Sequence, residues 1–249
     1  MSTHSSPRRL PIYWWTLSFQ AGAINAGGFL SCGQNVSHVT GFLTQVGTLG
    51  AQNRWNLALG LLSVPIFFLL GAIATTIILE HPRSYARDRF YGYSIVLGIV
   101  ALLCLSVAVL GWWHSFGSFN ESLDLRRHYM LLVMLSLACG FQNALFSDRA
   151  GTVIRSTHMT GPTTDLGIEI GRLFLVAIKR AQRLPEIKFR RELTFSLIRG
   201  ISILLFIGGA LMGSFFFLRY QYLGFLVPSF TAIVLFYDSF KAQRRLFFD

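Results

Sequence analysis

The chain is poor in charge and in cysteine. Only 13% of its 249 residues are charged, whereas 53% are hydrophobic and the mean hydropathy is +0.51. Soluble domains carry about 25% charged residues, so this composition excludes an ordinary soluble domain and predicts an integral membrane protein. The three cysteines lie in or beside apolar runs without CxxC spacing, which indicates neither a zinc site nor a disulfide framework.

Acidic residues are also scarce. There are 11 of them against 22 lysines and arginines, which gives a net charge of +11. In a soluble protein this excess would point to nucleic acid, but basic residues between apolar stretches report topology in a membrane protein. We therefore expect the lipid bilayer, and not nucleic acid, as a partner.

Common catalytic signatures are missing from the sequence. It contains no HExxH, no GxSxG and no carboxylate-rich metal cluster. A pair of histidines, one from each half of the chain, would be too few for a metal site, so we expect neither a metal nor another cofactor. A membrane-embedded enzyme that uses histidine and aspartate for acid–base chemistry stays open as an alternative.

Six apolar stretches are long enough for the roughly 20 residues that a helix needs to cross the hydrocarbon core. They lie at about 11–31, 56–79, 91–113, 129–147, 195–218 and 222–238. The sequence therefore predicts an all-α membrane protein with six transmembrane helices. We expect the first stretch to be an uncleaved span rather than a signal peptide, because a similar segment recurs in mid-chain.

The two halves of the chain share a repeat. HVTGFLTQVG (38–47) and HMTGPTTDLG (158–167), here called the HxTG segments, are identical at five of ten positions. Two further matches flank them: LSFQAGAINA (17–26) with LSLACGFQNA (135–144), and FLLGA (68–72) with FIGGA (206–210). Each half is thus predicted to be one three-helix repeat with its own HxTG segment.

Three spans per repeat is an odd number, so the second repeat must be inverted relative to the first. The HxTG segments are too short or too charged for simple spans, and each is predicted to be a broken or re-entrant helix. A cytoplasmic amino terminus places most basic residues inside, as expected. The predicted parts are an amino-terminal tail (1–10), the first repeat (11–113), an extracytoplasmic loop (114–128), the second repeat (129–240) with a basic cytoplasmic linker (179–193), and a cytoplasmic tail (241–249).

SHVTG after a span ending in Asn-Ala, and the run QNALFSDRAGTVIRSTHMTGPTTDLGIEIGR (142–172), resemble the YoaK-type family of bacterial membrane proteins. The resemblance covers about residues 11–240. It implies a six-span domain in the bacterial inner membrane with both termini in the cytoplasm, and it implies no activity. Members often have Asn after the first Thr-Gly, where this chain has Phe42.

The HxTG segments hold most of the candidate site. Non-helical backbone at membrane depth survives only beside protein or water, and Ser37 or Thr40 could cap a helix that starts there. Glycine lets a ligand or backbone approach closely. Inverted repeats with interrupted helices recur in secondary transporters. The candidate substrate-binding residues are His38, Thr40, Gly41, Thr44 and Asn25, with His158, Thr160, Gly161, Thr164 and Asn143 from the second half.

Only the second HxTG segment has carboxylates. Asp165 and Glu169 take the offsets of Gln45 and Leu49 in the first copy. Charges in a membrane are costly unless paired or protonated, so we expect both acids to be candidates for proton coupling. Arg172, one turn beyond Glu169, and Arg199 are their expected charge partners, Arg199 for Asp165 or Asp148.

These features favour a secondary transporter or channel for a small solute, anionic solutes included, with proton coupling through Asp165 or a histidine. The alternatives are the membrane-embedded enzyme and a structural partner of another membrane protein. Small residues also let helices pack without any substrate, and threonines often bond only to their own helix. Whether the chain forms a homodimer stays open.

Overall fold

The fold is described from a computed structural model, which covers residues 10–80, 89–150, 159–177 and 186–248. These residues form α-helices and one 3-10 turn, with no strand among them. The helices are α1 (Leu10–Cys32), α2 (Val39–Ala51), α3 (Trp55–Glu80), α4 (Arg89–Trp112), α5 (Leu125–Ala150), α6 (Thr160–Ala177), α7 (Glu186–Tyr220) and α8 (Leu226–Phe248), and the 3-10 turn is Gln221–Phe225. The prediction of an all-α protein is confirmed.

Four helical segments are long and apolar enough to cross a membrane. They are Trp55–Glu80, Tyr91–Trp112, Leu125–Leu145 and Leu193–Lys241, the last of which contains α7, the 3-10 turn and α8. The chain is therefore a membrane protein. The first helix is not among the four, although it is 23 residues long.

Each HxTG segment begins a separate, shorter helix. The first starts α2, whose 13 residues rise about 20 Å, and the second starts α6, whose 18 residues rise about 27 Å. Both lengths fall short of the roughly 30 Å hydrocarbon core. A gap of six residues, 33–38, separates α1 from α2, so the predicted break lies on the amino side of the motif.

The helices pack in pairs across the two halves. The main pairs are α1 with α7, α3 with α5, and α4 with α8, while α2 lies on α3 and α6 lies on α7. Buried apolar residues of α1, α3, α4 and α5 form the core, including Ile24, Leu61, Leu97 and Leu135. The exposed faces of α3, α7 and α8 are also apolar, which suits a lipid environment rather than water.

Glycines set the closest helix crossings. A Cβ at Gly22 of α1 would overlap the carbonyl oxygen of Phe206 in α7, and a Cβ at Gly209 of α7 would overlap the carbonyl oxygen of Phe19. Only a residue without a side chain lets two backbones meet this closely.

The α3–α5 crossing repeats this arrangement at the matched positions of the other half. A Cβ at Gly140 would overlap the carbonyl oxygen of Phe68, and a Cβ at Gly71 would lie 2.5 Å from the carbonyl oxygen of Leu137. The glycines of both crossings lie in the flanking sequence matches, 17–26 with 135–144 and 68–72 with 206–210. The sequence repeat therefore corresponds to a repeat of the helix contacts.

Several boundaries differ from the sequence prediction. The helix α5 begins at Leu125, inside the predicted 114–128 loop, and α8 extends to Phe248, into the predicted 241–249 tail. Residues 186–193, expected in a basic linker, form the first two turns of α7, which runs for 35 residues. The pattern of charge marked where the apolar span starts, but charged side chains do not end a helix by themselves. Residues 179–185 of that linker lie outside the described residues.

Candidate functional site

The segment between α1 and α2 is tied to α1 by one asparagine. Asn25 donates from Nδ2 to the Ala21 carbonyl oxygen at 2.9 Å, and its Oδ1 accepts from the backbone N–H of Ser37 at 3.2 Å and from the Ser37 hydroxyl at 2.9 Å. Asn25 and Ser37 are both buried. Since the next residue is His38, these hydrogen bonds fix where the first HxTG segment begins.

The expected side-chain cap of α2 is absent. The residue at the N-cap position is His38, and its side chain makes no capping hydrogen bond. The prediction that Ser37 or Thr40 caps this helix is therefore wrong for Ser37, whose hydroxyl is committed to Asn25. Thr40 lies inside the first turn of α2.

Gly41 leaves room for the His38 ring. A Cβ at Gly41 would lie 2.6 Å from Nδ1 of His38, so the imidazole packs directly over the glycine while the residue as a whole stays exposed. Close approach is thus the reason for a glycine here, but what approaches is the chain's own histidine. Among the described residues, no atom lies within 4 Å of the corresponding position at Gly161.

The structure contains a cavity of about 510 Å³ to which both HxTG segments contribute. His38 borders it from the start of α2, and Met159 and Thr160 border it from the start of α6. The rest of the wall comes from α1, the 33–38 segment and α7: Gly22, Asn25, Ala26, Phe29, Leu30, Asn35, Ser37, Phe206, Ala210 and Ser214. Two stretches 120 positions apart in sequence therefore meet at one void.

The cavity wall contains both apolar and polar side chains. Phe29, Leu30 and Phe206 give an apolar surface, whereas His38, Thr160 and other hydroxyl and amide side chains give a polar one. Among the described residues, the His38 side chain makes no capping hydrogen bond to α2.

A buried ion cluster lies farther along α6. Arg199 of α7 pairs through Nη1 with Oε1 of Glu169 and through Nη2 with Oδ2 of Asp165 at 3.4 Å. Ser196 donates its hydroxyl to Oε2 of Glu169 at 2.7 Å. Arg199 and Glu169 are buried, whereas the Asp165 side chain is 44% exposed. Glu169, expected to pair with Arg172, is therefore held by Arg199.

Three of the four matched positions of the first repeat are apolar. By the offsets of the repeats, Glu169, Arg199 and Ser196 correspond to Leu49, Leu61 and Ala58, whereas Asp165 corresponds to Gln45. Leu61 and Ala58 are buried, and Leu49 packs against the hydrophobic core that includes Leu61. One short helix is thus joined to its neighbour by apolar packing, and the other by an ion cluster.

A family model described as "Protein of unknown function (DUF1275)" matches residues 13–237. The chain belongs to the DUF1275 family. The resemblance to the YoaK-type proteins, which lie in this family, is thereby confirmed. Neither the curated proteins nor the solved structures include a match to this chain.

This DUF1275 protein brings together only part of the predicted site. Asn25, His38 and Thr160 line the cavity, and Glu169 and Asp165 meet Arg199 as described. Thr44 and Thr164 instead donate to the carbonyl oxygens of Thr40 and Thr160, both at 2.9 Å, so their hydroxyls serve their own helices. Four other predicted residues do not line the cavity: Thr40, Gly41, Gly161 and Asn143. Arg172 is exposed on α6, and His158 lies outside the described residues.

Sequence reasoning missed several residues of this DUF1275 protein. Ser214 and Phe206 of α7 line the cavity because the α1–α7 crossing at Gly22 places them there, and no local pattern predicts that contact. His128, expected in a loop, lies in the first turn of α5 and is fully buried, with Nδ1 3.2 Å from the backbone N of Asp124. An acid four residues before the histidine, at a helix start, was the available signal.

Proposed function

We propose that this DUF1275 protein is a secondary transporter of the bacterial inner membrane that binds a small solute in the cavity between its two HxTG segments. The observation that carries the proposal is the shared cavity: His38 starts one short helix, Thr160 starts the other, and both face the same void. Discontinuous helices that meet at a ligand site are a recurring plan of such transporters.

We further propose that the chain has six spans, that its repeats are inverted and that both termini are cytoplasmic. The matched glycine crossings support this arrangement. Gly22 and Gly209 of the α1–α7 pair correspond in sequence to Gly140 and Gly71 of the α3–α5 pair. The first helix of each half, α1 or α5, thus packs on the third helix of the other half, α7 or α3. A twofold axis that relates the two repeats would produce this arrangement.

The cavity wall suggests the class of solute. It presents hydroxyl, amide and imidazole groups together with the apolar side chains of Phe29, Leu30 and Phe206, and the described lining residues include no lysine, arginine or carboxylate. This wall fits a small amphipathic solute with one hydrogen-bonding end. Monocarboxylates and neutral alcohols or amides both meet that description.

Proton coupling is assigned to the ion cluster. Two carboxylates share one guanidinium there, so the set is one negative charge in excess when both acids are ionised. Binding of one proton removes the excess. Asp165 is the more exposed acid and the more distant from Arg199, and it is therefore the one expected to exchange the proton.

The test is solute-driven proton movement in proteoliposomes that contain a trapped pH-sensitive dye. A panel of monocarboxylates, short alcohols and amides is added outside, one at a time. We expect at least one solute to move protons, and Asp165→Asn to abolish this movement. Asp124→Asn, at an acid on the exposed side of the 114–128 region that pairs with Arg127, is the matched control and should leave it intact.

Two outcomes contradict the proposal. If no solute of the panel moves protons or enters the vesicles, the carrier is the wrong interpretation of the cavity. If a solute is chemically converted without net flux, the membrane-embedded enzyme becomes the better interpretation.

A further inference from the structure

The two short helices occupy matched places but are held differently. Within the described part of the chain, α2 packs mainly on α3 and α6 packs mainly on α7. Most of α6 is exposed, including the large apolar side chains of Ile168, Ile170 and Phe174. The attachment of α6 therefore depends on the surface it shares with α7.

That surface is ionic where its counterpart is apolar. Glu169 and Asp165 of α6 meet Arg199 of α7, and Ser196 adds a hydrogen bond. At the matched positions of the first repeat, Leu49 packs on the core formed with Leu61. Apolar packing has no chemical state that releases it, whereas an ion pair loses its attraction when one partner is neutralised or finds another counter-ion.

The ion cluster is also close to the cavity along the helix. Asp165 lies five residues after Thr160, which is about 7.5 Å along the helix axis. Because a helix moves nearly as a rigid rod, a shift of α6 at Asp165 would carry Thr160 and change the cavity wall. A shift of α2 would require its apolar contact with the core to be broken.

We propose that α6 is the mobile gate of the cavity, latched to α7 by Arg199, and that α2 is its fixed counterpart. Loss of the Glu169–Arg199 pair releases the latch and lets α6 move away from α7, which opens the cavity at Met159 and Thr160. Among the described residues, the charged groups on the facing surfaces are Asp165, Glu169 and Arg199, with Arg172 one turn farther along α6. The movement gives the proposed transporter its moving part, but it can be measured without any solute.

Matched spin labels test the gate. Ile168 on α6 and Thr48 on α2 occupy the same offset in the two repeats and are both exposed. Each is changed to cysteine and labelled together with a common reference, Leu102→Cys on the exposed face of α4. The native cysteines are fully buried, which limits background labelling. Distances are measured by pulsed electron paramagnetic resonance in liposomes.

We expect the 168–102 distance to be broad or double-peaked, and to shift by several ångströms when Glu169→Gln removes the ion pair with Arg199. The 48–102 distance should stay single and unchanged. The proposal is overturned if neither distance responds, or if both respond alike.

A second variant tests the latch itself. Glu169→Leu with Arg199→Leu gives α6 the apolar contact that α2 has, and should narrow the 168–102 distance to one value. A distribution still broad in that variant would overturn the latch. If it does not fold, Glu169→Gln should broaden the 168–102 distance, and an unchanged distance there would overturn the latch in its place. Solute flux with an immobile α6 would contradict the gate and leave the transporter standing. A mobile α6 without solute flux would contradict the transporter and leave the gate standing.

Discussion

Replacing Arg199 should be among the most destabilising single changes in this protein. The guanidinium and Glu169 are both buried, so Arg199→Leu removes the counter-charge that the structure places on this carboxylate and leaves it the hydrogen bond from the Ser196 hydroxyl. Breaking a buried ion pair by removing one partner costs about 3–5 kcal/mol. By contrast, Asp165→Asn should cost about 0–1 kcal/mol, because that side chain is 44% exposed and water screens the pair.

The double variant Glu169→Leu with Arg199→Leu makes the prediction sharper. Buried ion pairs replaced by well-packed apolar residues are often neutral or more stable, and the first repeat already has leucines at both matched positions, Leu49 and Leu61. We therefore expect the double variant to recover most of the stability lost in Arg199→Leu.

The assay is unfolding in mixed micelles by titration with sodium dodecyl sulfate, followed by tryptophan fluorescence. The wild type, Glu169→Leu, Arg199→Leu and the double variant form a complete double-mutant cycle. The coupling free energy between the two positions should be about 3 kcal/mol. The reasoning is refuted if Arg199→Leu costs no more than Asp165→Asn. It is equally refuted if the double variant is as unstable as Arg199→Leu alone.

Two further changes test the packing that surrounds the cavity. Gly209→Ala would force α7 away from the Phe19 carbonyl oxygen and should destabilise the protein in the same titration by about 1–3 kcal/mol. The control is Gly208→Ala, whose Cβ meets no described atom within 4 Å and which should be neutral or slightly stabilising. Equal effects at the two glycines would contradict the close crossing. Asn25→Ala leaves the backbone N–H and hydroxyl of Ser37 without their acceptor and should cost about 1–3 kcal/mol. The measurement is hydrogen exchange, which should become faster only in the 33–38 segment. Unchanged protection of that segment would show that the hydrogen bonds to Asn25 do not hold it.

The hydrophobic pattern predicted the middle spans well. Stretches 56–79 and 91–113 correspond to Trp55–Glu80 and Arg89–Trp112, because a long run of apolar residues in a membrane has no stable alternative to a helix. The pattern could not find the start of α7 at Glu186, since hydropathy reports where a helix leaves the apolar region and not where its hydrogen bonds begin. Capping was predicted less well, because the Ser37 hydroxyl had a tertiary partner in Asn25.

The site was predictable only in part. Comparison of the two HxTG segments pointed to His38 and Thr160 as candidates, and both line the cavity, whereas Thr40, the counterpart of Thr160, does not. The partner of Glu169 was not predictable in the same way. Sequence shows the neighbour one turn away on the same helix, Arg172, whereas the guanidinium that reaches Glu169 comes from Arg199, 30 positions away. Local spacing has no information on which faces of α6 and α7 meet.

The most direct test of the central claim asks whether the cavity opens to both sides of the membrane. Ser214 lines the cavity from the last two turns of α7, so Ser214→Cys can be treated with a small membrane-impermeant thiol reagent, outside or inside oriented proteoliposomes. If the cavity is a transport site with alternating access, the cysteine reacts from either side, and Thr160→Trp, which fills the void, blocks both reactions. Reaction from one side alone, or from neither, would contradict the account.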